Sequence, residues 1–114
     1  MKKSMLFYWS VICVFLATLM PVDGKIAGNY LDKVVHFILF TFMTYRALLY
    51  FFKKVDTTEV VVTCILVGFL TEFLQQFIPG RNMDFYDALA DTLGVVASYY
   101  YSKRTKYRLE RAKI

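Results

Sequence analysis

Four apolar runs, at 5–20, 34–52, 59–78 and 85–101, dominate the chain, separated by short polar stretches. Each run is about 16–20 residues long, close to the roughly 20 that a helix needs to cross a 30 Å hydrocarbon core. The first follows Lys2 and Lys3 and stops at Pro21. A secretory signal peptide begins in the same way, but this run is long for one and its exit has no small-residue cleavage pattern. A retained membrane helix is therefore the expectation. The stretch 23–33 is a polar loop with Gly24, Gly28 and Asn29 as turn formers. Asp32 is the expected N-cap of the second helix, its carboxylate meeting free backbone N–H groups. Residues 53–58 connect to the third run, in which Gly68 is a candidate for close helix packing. Pro79 and Gly80 end that run, 81–84 is a tight link, and a basic tail, 102–114, follows the fourth run. The pattern predicts an all-α polytopic membrane protein: one domain over 1–114, built as a bundle of four transmembrane helices.

Composition agrees with lipid as the solvent. Hydrophobic residues make up 58% of 114 and the mean hydropathy is +0.45. A small fold has a large surface for its volume, so that composition would leave much apolar area in water. The net charge of +5 does not point to nucleic acid, because aromatic and aliphatic runs separate the basic residues. Their placement fits a topology signal. Lys2, Lys3, Lys53, Lys54 and the six basic residues from Lys103 to Lys113 fall on one side of the predicted bundle. Lys25, Lys33 and Arg81 fall on the other. The positive-inside rule then puts both termini in the cytoplasm and the loops 23–33 and 79–84 outside. The tail is expected to sit on anionic lipid, at about 1 kcal/mol per basic residue near the surface. Cys13 and Cys64 lie in apolar runs without ligand spacing and read as small hydrophobes.

The polar residues inside the runs are harder to explain by topology. A charge at the centre of a span costs roughly 2.5–3.5 kcal/mol, and function is the usual offset. The predicted topology brings three groups to the same outer level: Asp32, Lys33 and His36 on helix two, Glu72, Gln75 and Gln76 on helix three, and Asp84, Asp87 and Asp91 on helix four. Asp84, Asp87, Asp91, Gly94 and Ser98 fall within an arc of about 80° on a helix. Asp32 and His36 share a face, as do Glu72 and Gln76. With Arg81 in the neighbouring link, these stripes are expected to converge in a polar pocket. Each residue also has a plain structural reading. His36 can hydrogen-bond Asp32 or Glu72, Arg81 can neutralise Asp84 or Asp87, and Gly94 reads best as a helix-packing position. Asp87 and Asp91 are the pair most expected to matter, since two acids one turn apart are hard to bury without a cation, a proton or an arginine. No nucleophile motif or H-E-x-x-H-type metal motif accompanies them; the sequence leaves any cofactor open, and a divalent cation at the acids is compatible with their charge but not expected.

Taken in order, Asp32-Lys33-x-x-His36, then Glu72-x-x-Gln75, then Arg81-x-x-Asp84-x-x-Asp87-x-x-x-Asp91-x-x-Gly94, resemble the VanZ-like family of small bacterial membrane proteins. The resemblance covers nearly the whole chain, Pro21 included. Asp91 departs from it, standing where the family often has asparagine. The family's founding member is associated with resistance to the glycopeptide teicoplanin, so the resemblance implies a role in the bacterial cell envelope and localisation to the cytoplasmic membrane. Three functions remain open on this reading. The pocket binds or modifies an anionic lipid-linked envelope component, with Arg81 and Lys33 on its phosphate or carboxylate. Alternatively, the cluster is the centre of an intramembrane hydrolase or transferase, with His36 or a carboxylate as general base. In the third, the polar cluster locks the helices of a structural or partner protein.

Overall fold

The computed structural model describes residues 3–19, 30–52, 54–79 and 84–112. Four helices follow in order: α1 (Lys3–Leu19), α2 (Tyr30–Tyr50), α3 (Thr57–Gln75) and α4 (Phe85–Ala112). No strand occurs among the described residues. The chain is all-α.

Helix boundaries differ from the apolar runs in ways that local chemistry explains. Helix α2 starts at Tyr30, so Asp32 sits inside its first turn rather than at the N-cap. Its charge still lies against the positive end of the helix dipole. Helix α3 has its own cap, Asp56, whose extended backbone turns the chain and whose Oδ1 accepts the Thr58 N–H at 3.2 Å. Such a cap is worth about 1 kcal/mol. The same helix stops at Gln75, not 78. Phe77 and Ile78 donate to the carbonyls three residues back, Leu74 and Gln75, as the chain tightens ahead of Pro79. Helix α4 does not end at 101 but continues through the basic stretch to Ala112. Residues 102–112 contain neither glycine nor proline and are rich in Lys, Arg, Leu, Glu and Ala, all compatible with helix.

The helices alternate in direction. At one end, Gln75 of α3 meets Thr18 of α1, while the starts of α2 and α4 lie together. At the other, the Phe7 ring stacks on Tyr50 at 5.4 Å and meets Phe51 edge-on at 5.3 Å, and Tyr45 of α2 meets Tyr101 of α4 at 5.3 Å. The parallel pair α2 and α4 packs closest at Gly94. A methyl group there would lie 2.6 Å from the Phe37 carbonyl oxygen and 3.0 Å from Thr41 Oγ1, so only glycine admits this approach. Gly68 does the same for α3: its Cβ would stand 3.1 Å from Asp91 Cβ and 3.5 Å from the Phe40 ring.

The distribution of side chains is inverted relative to a water-soluble bundle. Among the described residues, ten polar side chains are buried against nine apolar ones, so the interior is half polar. The apolar part, centred on Val14, Phe40, Met43, Ala47, Val60, Cys64 and Val95, fills the middle of the bundle and the end away from Thr18 and Gln75. Large apolar residues such as Ile12, Leu16, Ile38, Leu66, Phe73, Leu93 and Tyr100 face outward. Several hydroxyls bond to carbonyls of their own helix, Thr18 to Val14, Thr71 to Gly68 and Thr92 to Ala88, which keeps the backbone's extra acceptors occupied. Among the described residues one helix, Thr57–Gln75, is both long and apolar enough to cross a membrane, with mean hydropathy 1.7; the apolar segment Ser4–Leu19 of α1 is shorter.

Candidate functional site

At the end where α2 and α4 begin and α3 finishes, three helices direct ionisable side chains inward. Asp32, Lys33 and His36 come from the first two turns of α2, and the i, i+4 spacing stacks Asp32 over His36. Glu72 lies at the C-terminal end of a buried stripe on α3 that runs Val60, Cys64, Gly68, Thr71, Glu72 and Gln75. Asp87 and Asp91 lie on the face of α4 that also buries Gly94, Val95 and Ser98. The small residues Gly68 and Gly94 let α3 and α4 close on α2 and so bring the acids together.

His36 is the centre of the cluster and 1% exposed. Its Nδ1 is 2.8 Å from Asp91 Oδ1, a hydrogen bond between α2 and α4, and 3.8 Å from Glu72 Oε1. Its Nε2 faces Asp32 Oδ2 at 3.8 Å and Asp87 Oδ2 at 4.0 Å, too far for hydrogen bonds. Of the two neighbours that sequence offered His36, Asp32 and Glu72, neither is its hydrogen-bond partner. Asp91 is. Nothing in the spacing could reveal this, because the bond spans 55 residues.

Asp84 precedes α4 and caps it, Oδ1 accepting the Tyr86 N–H at 2.9 Å. The backbone N–H of Asp84 itself is taken by Glu72 Oε2 at 3.2 Å. In a capping box that second bond comes from the third residue of the same helix; here α3 supplies it, fixing the start of α4 against the end of α3. Lys33 closes the rim. Its Nζ lies 3.0 Å from Asp84 Oδ2 and 3.4 Å from Asp87 Oδ1, with the Lys33 and Asp84 side chains about a quarter exposed. Partial burial pulls the Lys33 ammonium down, but the Asp84 hydrogen bond and the charges of Asp87 and Asp84 outweigh it and hold it above its ordinary pKa. Partial burial likewise pushes the Asp84 carboxyl up, yet the Lys33 and Tyr86 hydrogen bonds prevail and keep it below the usual carboxylate range.

The other expected members divide. Gln75 is buried but turns away from the acids, donating Nε2–H to the Thr18 carbonyl at 2.7 Å and so tying α3 to α1. Gln76 caps the C-terminus of α3 and is exposed, outside the cluster despite its spacing from Glu72. Arg81 lies outside the described residues. Helix α1 brings no ionisable group to the cluster; its buried stripe, Ser10, Val14 and Thr18, is spaced four residues apart, a period visible in the sequence, and the Thr18 carbonyl accepts the Gln75 bond.

The assembled site holds five carboxyl groups, Asp32, Glu72, Asp84, Asp87 and Asp91, against Lys33 and His36. Three buried polar atoms in it, His36 Nε2, Glu72 Oε1 and Asp91 Oδ2, have no hydrogen-bond partner, while Asp87 Oδ1 has only the Lys33 ammonium at 3.4 Å. Buried polar groups are almost always satisfied, so atoms left over in this way point to a missing partner. The geometry offers a proton acceptor or cation ligand in the interior and an ammonium at the mouth.

Compared with known families, residues 2–105 match the VanZ/LLP1 family. No curated protein and no solved structure matches the chain significantly.

Proposed function

The chain belongs to the VanZ-like family, and on that premise we propose that it is a multi-pass protein of the bacterial cytoplasmic membrane that engages an anionic, lipid-linked envelope component at the outer end of its bundle. The observation that carries the membrane reading is the inverted side-chain distribution: apolar surface outside, acids, a histidine and an amide inside. Helices α2 and α4 fall short of the hydropathy of a membrane span because of Asp32, Lys33, Arg46, Asp87 and Asp91. Asp87 and Asp91 are buried, as expected where intramembrane charges face the bundle interior and pair there. In lipid, the outward Ile, Leu, Phe and Val side chains cost nothing. In water the same side chains would add up to a large exposed apolar surface, the kind that marks a membrane or partner contact.

Orientation follows from the basic residues, with both termini inside and the cluster outside. A partly exposed ammonium over a buried acidic interior favours a ligand whose negative group stays at the mouth, on Lys33, and whose polar part reaches inward; Arg81, outside the described residues, is a second candidate by sequence alone. An effect on glycopeptide susceptibility would follow from holding such an envelope intermediate. Native mass spectrometry of gently extracted protein tests this, with wild type beside Lys33→Ala, Arg81→Ala and Asp87→Ala. A lipid phosphate retained by wild type and lost from the Lys33 and Arg81 variants, each still folded, is the expected result.

A second reading is favoured by particular bonds. His36 to Asp91, Glu72 to the Asp84 N–H and Gln75 to Thr18 each join two helices, so the cluster would act as an interhelical lock. No retained ligand, together with variants that fall apart, would select it.

A further inference from the structure

We infer that Asp32, His36 and Asp87 form a binding site for a divalent transition-metal ion, held in the plane between α2 and α4. The His36 Nε2 atom is the key. It is buried, lacks a hydrogen-bond partner and is directed into the gap between two carboxylates. The separations of 3.8 and 4.0 Å from Asp32 Oδ2 and Asp87 Oδ2 are too wide for hydrogen bonds. Two ligands of one tetrahedral ion, each about 2.0–2.2 Å from it, stand about 3.3–3.6 Å apart, so these separations lie a few tenths of an ångström outside a bound geometry. One ligand atom from each of the three residues lies within 4.8 Å of the others, so only a small contraction is needed.

The other side of the ring selects this trio. Nδ1 lies 2.8 Å from Asp91 Oδ1, and a carboxylate there accepts the Nδ1–H. That fixes the tautomer and leaves the Nε2 lone pair for the metal, the arrangement by which a carboxylate orients a ligating histidine. A second trio, His36, Glu72 and Asp91, is also compact. It would have to use the nitrogen already bonded to Asp91, while Glu72 Oε2 is held by the Asp84 N–H. Asp91 and Glu72 therefore support the ligands rather than bind the ion.

Electrostatics and rigidity favour the same site. Lys33 serves Asp84 and the far oxygen of Asp87, which leaves Asp87 Oδ2 facing Nε2 for the ion. Two ligands stand one turn apart on α2 and the third on α4, which is packed against α2 without side-chain freedom at Gly94. One imidazole with two carboxylates suits Zn²⁺ or Mn²⁺ better than Mg²⁺ or Ca²⁺, which prefer oxygen alone. Three protein ligands leave a coordination position for an outside oxygen. Its use by a ligand's phosphate rests on the function proposed above; the ion's binding does not.

The test uses full-length detergent-solubilised protein with any polyhistidine tag removed, stripped by chelator and titrated with Zn²⁺ and Mn²⁺ separately, without added lipid. Calorimetry and elemental analysis should find one ion per chain. Asp32→Asn and His36→Ala should each weaken binding at least tenfold. Asp91→Asn should weaken it about 10- to 100-fold while keeping one ion per chain, as expected for a supporting partner. Co²⁺ loading should give a visible absorption band that His36→Ala alters. Folded wild type that binds neither ion stoichiometrically overturns the inference, and that measurement needs no variant to fold. Binding unchanged in Asp32→Asn, a partly exposed position, overturns it as well. Lipid retention that survives complete removal of metal would separate failure of this site from failure of the proposed function.

Discussion

Replacing Gly94 by alanine reverses the sign normally expected of that substitution. In an unconstrained helix, alanine is favoured over glycine by about 1 kcal/mol. At Gly94 the added methyl would stand 2.6 Å from the Phe37 carbonyl oxygen and 3.1 Å from the Thr41 backbone nitrogen. The carbonyl contact is about 0.8 Å inside ordinary van der Waals range, and the obstacle is backbone, which cannot rotate away. Helices α2 and α4 must part. Overpacking of this kind costs about 1–3 kcal/mol, partly offset by the helical preference of alanine. A net loss of up to about 2 kcal/mol is expected. An opening of about 0.8 Å carried one turn to Asp91 would stretch its bond to His36 from 2.8 to about 3.6 Å, beyond hydrogen-bond range. Unfolding of wild type, Gly94→Ala and Gly68→Ala in one detergent measures the effect. Gly94→Ala should be the least stable, with Gly68→Ala less affected because its closest neighbour is the Asp91 side chain at 3.1 Å. Gly94→Ala melting at or above wild type would show that α2 and α4 do not meet as described.

Asp84→Ala should remove the α4 cap, at about 1 kcal/mol, and speed amide exchange at 85–88, whereas Asp84→Asn should preserve protection because asparagine also caps. Gln75→Ala should loosen α1 from α3 by about 0.6 kcal/mol, up to about 1.7, the range for interhelical hydrogen bonds in lipid, read by unfolding in detergent. The rim pair predicts a pH dependence. The Asp84 carboxyl is held low, so its contribution is present above the ordinary aspartate pKa of about 3.9 and disappears as pH falls through its lowered value. The Lys33 ammonium is held high, so its share is present below about 10.4 and is lost as pH rises through its raised value. Stability differences between wild type and Lys33→Met should stay level from about pH 7 to about 9 and shrink in acid as the carboxylates that face Lys33 protonate; a difference that grew in acid would contradict the pairing.

Much of the bundle was legible because helix count depends on runs and breaks that sequence displays directly. Pro79 and Gly80 closed the third run, and the stripe from Asp87 to Ser98 gave the inward face of α4. Helix ends were less visible. The continuation of α4 through 102–112 replaced an expected tail because a basic composition reads as tail while permitting helix. Within the site, spacing named faces but not partners. Glu72 and Gln76 share an angular sector, yet the helix ends at Gln75 and leaves Gln76 outside. Gln75 is directed to α1 by a bond across 57 residues. The Nε2-centred arrangement of Asp32, His36 and Asp87 carries no linear motif, since its ligands come from two helices far apart in the chain, which is why no metal was expected from sequence.

The central claim is that this is a membrane-spanning bundle with its polar cluster at the outer end. Cysteine accessibility in intact bacterial cells tests it most directly. In a background with Cys13 and Cys64 replaced by alanine, Phe77→Cys reports the cluster end and Lys54→Cys the opposite end, both at exposed positions. A membrane-impermeant maleimide should label Phe77→Cys in intact cells and Lys54→Cys only after permeabilisation. Labelling of Lys54→Cys alone would invert the orientation, and equal labelling of both or neither before permeabilisation would contradict the spanning bundle itself.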